Sequence, residues 1–357
     1  METHGIAPPA PMAPLMTYDA ANHKVLCFGD GNWFDGDGHN YNGTWEWNGS
    51  VWRKLTPRTT AWVRWGGAMA YDAATRNVVL LSITRAMSSF PPPAYRDPLT
   101  HKLTPAYFAM LKTSETWTWN GSTWTRLHPT TNPTARTGPS MAYDAATKQV
   151  VLFGGNDQTL SRGANQSGSH ATWVWDGHDW TREHPSVNPP GRSYATMAYD
   201  AATKQIVLFG GAGRVSRAGR GRLLADTWAW NGGTWVKQHP SRSPSARWYA
   251  SMAYDAAAKE LVLFGGFGGS NGITVPPAHT WAWNGSTWIK LSPSVSPRPE
   301  AAPSMAYEAA TKQIVLIERL PGHHKASETW TLRLTAPSPR HVGRRSKARR
   351  PAATIRP

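Results

Sequence analysis

Four arginines recur at one position of an internal repeat, each five residues before a methionine that opens a repeat unit. Three of them, Arg64, Arg192 and Arg247, are followed within two residues by aromatic side chains. A guanidinium binds carboxylates and phosphates through two parallel hydrogen bonds, and aromatic faces stack on rings. The pattern therefore indicates a site for an anionic or sugar-like ligand, formed by Arg64, Trp65, Arg136, Arg192, Tyr194, Arg247, Trp248 and Tyr249.

A second basic group extends this candidate site. It lies in the variable segment of the fourth repeat and comprises Arg214, Arg217, Arg220 and Arg222. The repeated arginines also have a structural interpretation, because an arginine at the start of a repeat can donate hydrogen bonds to neighbouring connector carbonyls. Both interpretations stay open on the sequence alone.

Residue types that serve catalysis or metal binding are scattered. The single cysteine, Cys27, occupies the position that Leu152, Leu208 and Leu263 hold in other repeats, so we expect it to be buried in a strand. The histidines show no spacing typical of a zinc site. The sequence has no Gly-x-Ser-x-Gly elbow and no phosphate-binding loop. We therefore assign no catalytic residue, no metal and no cofactor.

The elements that must position the candidate site are copies of one unit. Its clearest copy runs from Met197 to His239, and the opening methionines are Met16, Met69, Met141, Met197, Met252 and Met305. A fixed period above 50 residues, with alternating apolar segments, is typical of a β-propeller.

Four short strands fit the unit. An Asp-Ala-Ala-Thr turn follows the first strand, a Gly-Gly pair ends the second, and Asn231-Gly232 provides the hairpin between the third and fourth. One blade cannot bury both of its faces, so blades must pack around an axis. We interpret the repeated tryptophan triplets, such as Trp228, Trp230 and Trp235, as packing between blades.

An apolar strand ending in Gly-Gly, followed by a loop and a Trp-bearing strand, resembles the kelch repeat. The resemblance covers about residues 12–334 and is shared with bacterial kelch propellers and galactose oxidase-like propeller domains. It implies an all-β, six-bladed propeller of four-stranded antiparallel blades, and it is nearly silent on function. Oxidase activity is not carried over, because Cys27 does not match the cysteine that this chemistry needs. Sialic-acid mutarotase-like kelch enzymes share the fold, but no residue here matches a transferable motif.

The repeats define one propeller domain over residues 1–334. Its blades span about 12–57, 64–129, 136–185, 192–240, 247–293 and 300–334. The sixth blade lacks the Asn-Gly turn and the fourth strand. We expect either that this last blade is incomplete because an upstream strand is missing, or that the N-terminal residues Met1–Ile6 close it; closure by the N-terminus is the favoured prediction.

Length variation is concentrated in the segments between strands 2 and 3. These are Asp30–Gly43, Thr84–Ser114, Asn156–Ala171, Ala212–Ala225 and Phe267–His279. In an up-and-down blade they share one face with the connectors between blades, and function concentrates in loops on a rigid scaffold. We predict a non-catalytic scaffold that binds a protein or glycan partner, including an anionic one, through this variable face. The alternative is a carbohydrate-active enzyme, such as an isomerase, lyase or oxidase, that uses the axial pocket.

The net charge of +16 is unevenly distributed. Residues 335–357 hold seven Arg or Lys and no acid, so we expect a disordered basic tail. Nucleic-acid binding is predicted only through this tail. No apolar run is long enough to span a bilayer, and the N-terminus has no signal-peptide pattern. We expect a monomer that is cytoplasmic by default, or extracellular if the true start lies upstream.

Overall fold

A computed structural model describes residue 8 and residues 14–29, 43–61, 66–83, 114–157, 168–215, 221–269, 279–293, 295–298, 302–319, 327–334 and 353–356. Within these ranges all regular secondary structure is β-strand. The strands form six four-stranded antiparallel sheets, each in simple up-and-down order. The predicted six-bladed β-propeller is therefore confirmed.

The strands of each blade follow one another along the chain. Blade 1 contains β1 (Leu15–Asp19), β2 (Lys24–Phe28), β3 (Thr44–Trp47) and β4 (Trp52–Leu55). Blade 2 contains β5 (Ala68–Asp72), β6 (Asn77–Ile83), β7 (Ser114–Trp119) and β8 (Trp124–Arg126). Blade 3 contains β10 (Ser140–Asp144), β11 (Gln149–Phe153), β13 (Thr172–Trp175) and β14 (Trp180–Glu183), with the short β9 (Arg136–Thr137) paired to β12 (Asn156–Asp157).

Blade 4 contains β15 (Thr196–Asp200), β16 (Gln205–Phe209), β19 (Thr227–Trp230) and β20 (Trp235–Gln238), with an accessory hairpin of β17 (Ala212–Val215) and β18 (Gly221–Leu223). Blade 5 contains β21 (Ser251–Asp255), β22 (Glu260–Phe264), β23 (Trp281–Trp283) and β24 (Trp288–Lys290). Blade 6 contains β25 (Ser304–Glu308), β26 (Gln313–Arg319), β27 (Ser327–Leu334) and β28 (Ala353–Arg356).

The turn after each first strand is organised by a buried acid. In blade 4, the Asp200 carboxylate accepts hydrogen bonds from the backbone N–H groups of Ala202 and Thr203, at 3.0 and 3.4 Å. Lys204 then adopts a left-handed conformation with φ 57°. These contacts explain why the Asp-Ala-Ala-Thr pattern recurs: the aspartate satisfies backbone donors that the turn would otherwise leave unpaired.

Packing between blades forms the core. Six apolar clusters each combine residues of two consecutive blades, and one of them joins Ala306 and Val315 of blade 6 to Trp45 and Val25 of blade 1. The first strands also contact one another all the way round, including β25 against β1. The ring is therefore closed by packing between the last blade and the first.

The prediction that the N-terminus supplies the fourth strand of blade 6 is wrong. That strand is β28, which pairs with β27 through Leu332 and Ile355 at its centre. Residues 353–356 of the tail that was predicted to be disordered therefore belong to a sheet, and the rest of that tail lies outside the described residues. The reason is non-local: pairing with β28 covers the edge that β27 would otherwise expose, although the composition of the tail predicts disorder. Near the N-terminus, the carbonyls of Pro8 and Pro14 accept hydrogen bonds from blade 6 serines.

The connectors between blades share one face with the segments that join strands 2 and 3. Short antiparallel bridges demonstrate this in three blades: β9 pairs with β12, Ser193 with Ala212, and Trp248 with Phe267. The first residues of each variable segment are thereby fixed to the connector. This geometry matches the face predicted from the strand order.

Candidate binding site at the mouth of the axial cavity

An axial cavity of about 190 Å³ opens where the first strands of the six blades begin. Every blade contributes its opening methionine and the residues just before it. The lining residues are Pro14, Leu15, Met16, Gly66, Gly67, Ala68, Met69, Gly138, Pro139, Ser140, Met141, Tyr194, Ala195, Thr196, Met197, Tyr249, Ala250, Ser251, Met252, Pro303, Ser304 and Met305. Its described wall therefore offers backbone groups, hydroxyls, thioethers and two phenol rings.

Hydroxyl groups in this wall connect neighbouring blades. Ser140 donates to the carbonyl of Ala195 at 2.7 Å, and the backbone N–H of Met305 donates to the Ser251 hydroxyl at 2.9 Å. Ser304 donates to the Pro14 carbonyl. A hydroxyl has one donor and two acceptor sites, so these side chains retain capacity for a ligand while they hold the cavity wall in place.

Three of the predicted arginines are buried and donate hydrogen bonds within the protein. Arg136, Arg192 and Arg247 are buried, with 3%, 1% and 2% of their surface exposed. Each Nη1 donates to a carbonyl of the Gly-Gly corner in its own blade, at 2.9 to 3.1 Å. Each Nε donates to a carbonyl two residues earlier in the connector. Hydrogen bonding to connector and corner carbonyls is the structural interpretation that the sequence left open.

The backbone of the same arginines ties one blade to the previous one. The carbonyl of Arg192 accepts from the N–H of Gly155 at 2.9 Å, and that of Arg247 accepts from Gly211 at 2.8 Å. An arginine at this position thus fixes two blades at once. Burial lowers the pKa of Arg247 to about 10, which leaves it charged at neutral pH.

Arg192 has an additional partner in an acid of its own blade. Asp226 accepts hydrogen bonds from both terminal nitrogens of Arg192, at 2.7 and 2.8 Å, and from the indole N–H of Trp228 at 2.7 Å. Burial alone would raise the pKa of Asp226, but the hydrogen bonds and charge of Arg192 outweigh it, so the pKa is lowered. The Arg192 side chain is fully buried and that of Asp226 is 19% exposed, so the guanidinium fork of Arg192 is paired with an acid of the protein itself.

Four equivalent residues form a chain of hydrogen bonds around the cavity mouth. Gly138 donates its N–H to Gly66, Tyr194 to Gly138, and Tyr249 to Tyr194, at 2.9, 2.7 and 3.0 Å. All four adopt left-handed backbone conformations, with φ between 55° and 64°. Glycine adopts this conformation freely, whereas a tyrosine there is strained. Blades 4 and 5 therefore place tyrosines where blades 2 and 3 have glycines, and strain of this kind clusters at functional sites.

These two tyrosines belong to a cluster that we name the aromatic platform: Tyr194, Trp248, Tyr249 and Phe267. The rings of Tyr194 and Tyr249 are stacked, with centroids 4.2 Å apart and planes at 27°. Trp248 lies 5.4 and 5.0 Å from these rings, and Phe267 lies 5.8 Å from Trp248. All four side chains are partly exposed. The platform thus presents a rigid aromatic surface beside the cavity mouth.

Burial raises the pKa of Tyr249 well above its ordinary value, helped by the neighbouring charge of Tyr194 and a hydrogen bond with it. Its hydroxyl therefore stays protonated at all physiological pH values. Such a group acts as a neutral hydrogen-bond partner. It does not supply a base near neutrality.

The structure brings together only part of the predicted site. Tyr194, Trp248 and Tyr249 meet in the platform, while Phe267 was missed although it directly follows the Gly265-Gly266 corner. Arg64, Trp65, Arg217 and Arg220 lie outside the described residues. Arg214 falls within β17, and Arg222 is exposed in β18. The sequence signal for the platform is the pair of tyrosines at a position that is glycine in two other blades.

The described ranges contain neither a metal cluster nor a membrane-spanning helix. They contain no group of three or more His, Cys, Asp or Glu side chains suited to a metal ion. They also contain no helix with the length and hydropathy to cross a bilayer. Cys27 is fully buried in β2, opposite Trp45, as its position in the repeat predicted.

Comparison with known proteins supports the fold. The solved structure of YjhT is similar to this chain, with a TM-score of 0.53 and 13% sequence identity over 78% of this chain and 84% of the other. At that identity the likeness shows the propeller fold alone. No family model matches the chain. No curated protein matches it either.

Proposed function

We propose that this chain is a kelch-type propeller that acts as a non-catalytic binding scaffold. Its partner is a protein or glycan, which docks on the variable face at the mouth of the axial cavity. The aromatic platform is the observation that supports this proposal. Two strained tyrosines and two further partly exposed rings form a stable surface where a globular fold alone would favour glycine and burial.

The chemistry of the site favours an uncharged contact. The three described arginines of the proposed arc are buried and donate to protein carbonyls. The surface that remains available consists of aromatic faces, serine and threonine hydroxyls, and backbone groups. Aromatic faces pack against the C–H face of a sugar ring or an apolar side chain, and hydroxyls orient the ligand by hydrogen bonds. An anionic partner draws support only from Arg222 and the arginines outside the described residues.

The enzyme alternative requires convergent acid–base groups at the cavity. The described wall offers the phenols of Tyr194 and Tyr249 beside alcohols and thioethers. The raised pKa of Tyr249 suits a hydrogen-bond partner better than a base. We therefore place binding before catalysis. Turnover of a sugar substrate that is lost in a Tyr249→Phe variant would contradict the non-catalytic proposal.

A glycan array and a pull-down with the full chain identify the partner. A double variant, Tyr194→Gly with Tyr249→Gly, then tests whether the partner binds at the aromatic platform. Glycine is the residue that blades 2 and 3 use at this position, so the double variant keeps the backbone geometry and removes the stacked rings. We expect binding to weaken at least tenfold, in line with the loss of two central aromatic anchors. Unchanged binding with an intact fold would contradict the proposal.

A matched control is Tyr199→Phe. Tyr199 lies at the end of β15 and packs against the blade 3–4 cluster, away from the cavity mouth. This variant changes a tyrosine of the same blade without touching the platform. We expect it to bind the partner like the unmodified chain.

A further inference from the structure

Five of the six interfaces between consecutive blades contain the same hydrogen bond. The fourth-strand tryptophan of one blade donates its indole N–H to a third-strand threonine of the preceding blade, at 2.9 to 3.0 Å. The pairs are Trp52–Thr329, Trp124–Thr44, Trp180–Thr116, Trp235–Thr172 and Trp288–Thr227.

The sixth interface, between blades 5 and 6, has the threonine without the tryptophan. Its threonine is Thr280, which is 1% exposed and whose hydroxyl has no hydrogen-bond partner. In the other blades the donor tryptophan lies opposite the second tryptophan of the third strand, as Trp235 lies opposite Trp230. In blade 6 the equivalent register position, opposite Leu332, belongs to Ile355. A buried hydroxyl without a partner is costly, and isoleucine has no N–H to offer it.

A small cavity of about 10 Å³ marks the same place. It is lined by Phe264, Thr280, Pro297, Met305, Ile314, Leu316, Trp330 and Leu332. In three other interfaces the residue equivalent to Phe264 packs on the donor tryptophan, with ring centroids 4.8 to 5.3 Å apart. The cavity alone has room for about one water molecule. Its lining includes Phe264 and Thr280, the counterparts of the residues that contact the indole in the sister interfaces.

Charge also distinguishes this edge. Each fourth-strand tryptophan is followed two residues later by a basic residue: Lys54, Arg126, Arg182, Lys237 and Lys290. In blade 2, Arg126 forms an ion pair at 3.0 Å with Glu115, which also accepts the indole N–H of Trp117. Blade 6 has a buried acid that makes the same indole contact from its second strand, because Glu318 of β26 accepts the indole N–H of Trp330 at 3.0 Å. Two residues after Ile355, however, the sequence has Pro357.

We propose that the outermost strand position of blade 6, which β28 fills in the structure, is a binding site for an extended segment of a partner protein that displaces β28 from β27 and has the pattern Trp-x-Lys or Trp-x-Arg. The partner strand adds to the sheet by main-chain hydrogen bonds, its indole fills the cavity and donates to Thr280, and its basic residue approaches Glu318. The chain's own β28 has neither the indole nor the basic residue of this pattern, so a partner strand that carries both competes with it for β27. This site lies on the outer rim of the ring and is independent of the aromatic platform.

The test uses the full chain and a peptide copied from its own blade 4. A fluorescein-labelled peptide with the sequence of Gly233–His239 carries the Trp-x-Lys pattern. A matched peptide replaces its tryptophan with isoleucine, the residue that β28 has at this position. Fluorescence anisotropy measures both. We expect saturable binding of the tryptophan peptide that is about tenfold tighter than that of the isoleucine peptide.

Two variants assign the binding to this edge. Thr280→Val removes the acceptor while keeping the side-chain shape, so the tryptophan peptide should bind about fivefold more weakly and the isoleucine peptide should be unaffected. Ile355→Trp gives the internal strand its own indole, so the variant should melt at a higher temperature and bind the tryptophan peptide at least tenfold more weakly. Circular dichroism verifies that both variants are folded.

Three results would overturn the proposal. They are an absence of saturable peptide binding, equal affinities of the two peptides, and unchanged tryptophan-peptide affinity in Thr280→Val. The last of these readouts needs no change to β28, so it decides the question even if Ile355→Trp fails to fold.

Discussion

Trp52 of blade 1 donates its indole N–H to the hydroxyl of Thr329 in blade 6, at 2.9 Å, across 277 residues of sequence. This hydrogen bond joins the first blade to the last. The same bond recurs at four other interfaces, but only here does it close the ring. It therefore resists opening of the propeller at the point where the chain has no covalent connection between neighbouring blades.

We expect Trp52→Phe to lower the free energy of unfolding by about 1–3 kcal/mol, because it leaves the Thr329 hydroxyl unpaired and removes part of a buried ring. Urea denaturation measures the change. Thr329→Val alone and the double variant complete a double-mutant cycle. A coupling energy near zero would show that the hydrogen bond does not stabilise the closure.

Glu260 lies directly opposite Asp255 in blade 5, where the other blades have Lys24, Asn77, Gln149, Gln205 and Gln313 opposite their turn acids. Both carboxylates have a buried oxygen without a hydrogen-bond partner. We expect Glu260→Gln to stabilise the protein by about 0.5–1 kcal/mol at pH 7, because like charges directly opposite in a sheet repel. Chemical denaturation of the two proteins measures the gain, and a loss of stability would contradict it.

This pair also predicts a pH dependence. Burial raises the pKa of Asp255, and burial together with the charge of Asp255 raises that of Glu260. A group with a raised folded-state pKa contributes stability below its unfolded pKa and loses it as the pH rises through the folded pKa. The stability difference between the unmodified chain and Glu260→Gln should therefore grow from about pH 4 upwards. Nearby Arg333 is present in both proteins and cancels in the comparison. A pH-independent difference would contradict this assignment.

The pKa of Asp226 is shifted in the opposite direction from those of Asp255 and Glu260. Burial would raise it, but the hydrogen bonds and charge of Arg192 lower it. Asp226→Asn leaves a guanidinium with a fully buried side chain without its counter-charge, so we expect a loss of about 2–3 kcal/mol at pH 7. A lowered folded pKa contributes stability that disappears as the pH falls through it, so the difference should shrink below about pH 4. Urea titrations at pH 7 and pH 3 test both statements, and an equal cost at the two pH values would contradict the ion pair.

Gly138 cannot be replaced without moving the platform. Its φ is +64°, and a Cβ there would lie 2.2 Å from the ring of Tyr194. We expect Gly138→Ala to cost about 2–4 kcal/mol through backbone strain and displacement of that ring. Gly233→Ala is the matched control, because a Cβ at Gly233 meets nothing within 4 Å. Thermal denaturation measures the melting temperatures of both variants. Similar melting temperatures would contradict the close packing of Tyr194 on Gly138.

The sequence alone determined the number of blades, and the four main strands and the turns of blades 1 to 5, because each of these depends on local chemistry that is copied in those units. The turn at Asp200 is an example. It requires an acid that accepts hydrogen bonds from the N–H groups two and three residues later, so the same turn can be predicted wherever the Asp-Ala-Ala-Thr pattern recurs. The face that carries the connectors also followed from strand order. These features depend on residues that are close in sequence, so the repeated sequence pattern is sufficient to predict them.

Only the tertiary structure decided what the repeated arginines do and how the ring closes. Arg192 is typical of a ligand-binding residue by type, yet its donors are taken by Gly210, Pro190 and Asp226, groups that only folding brings together. Ile355 belongs to the fourth strand of blade 6, although the composition of the surrounding segment predicted disorder. Non-local pairing overrides local composition here, because the open edge of β27 gains hydrogen bonds that no local property of residues 353–356 reveals. The tyrosines at left-handed positions likewise form one stacked pair only in the folded structure.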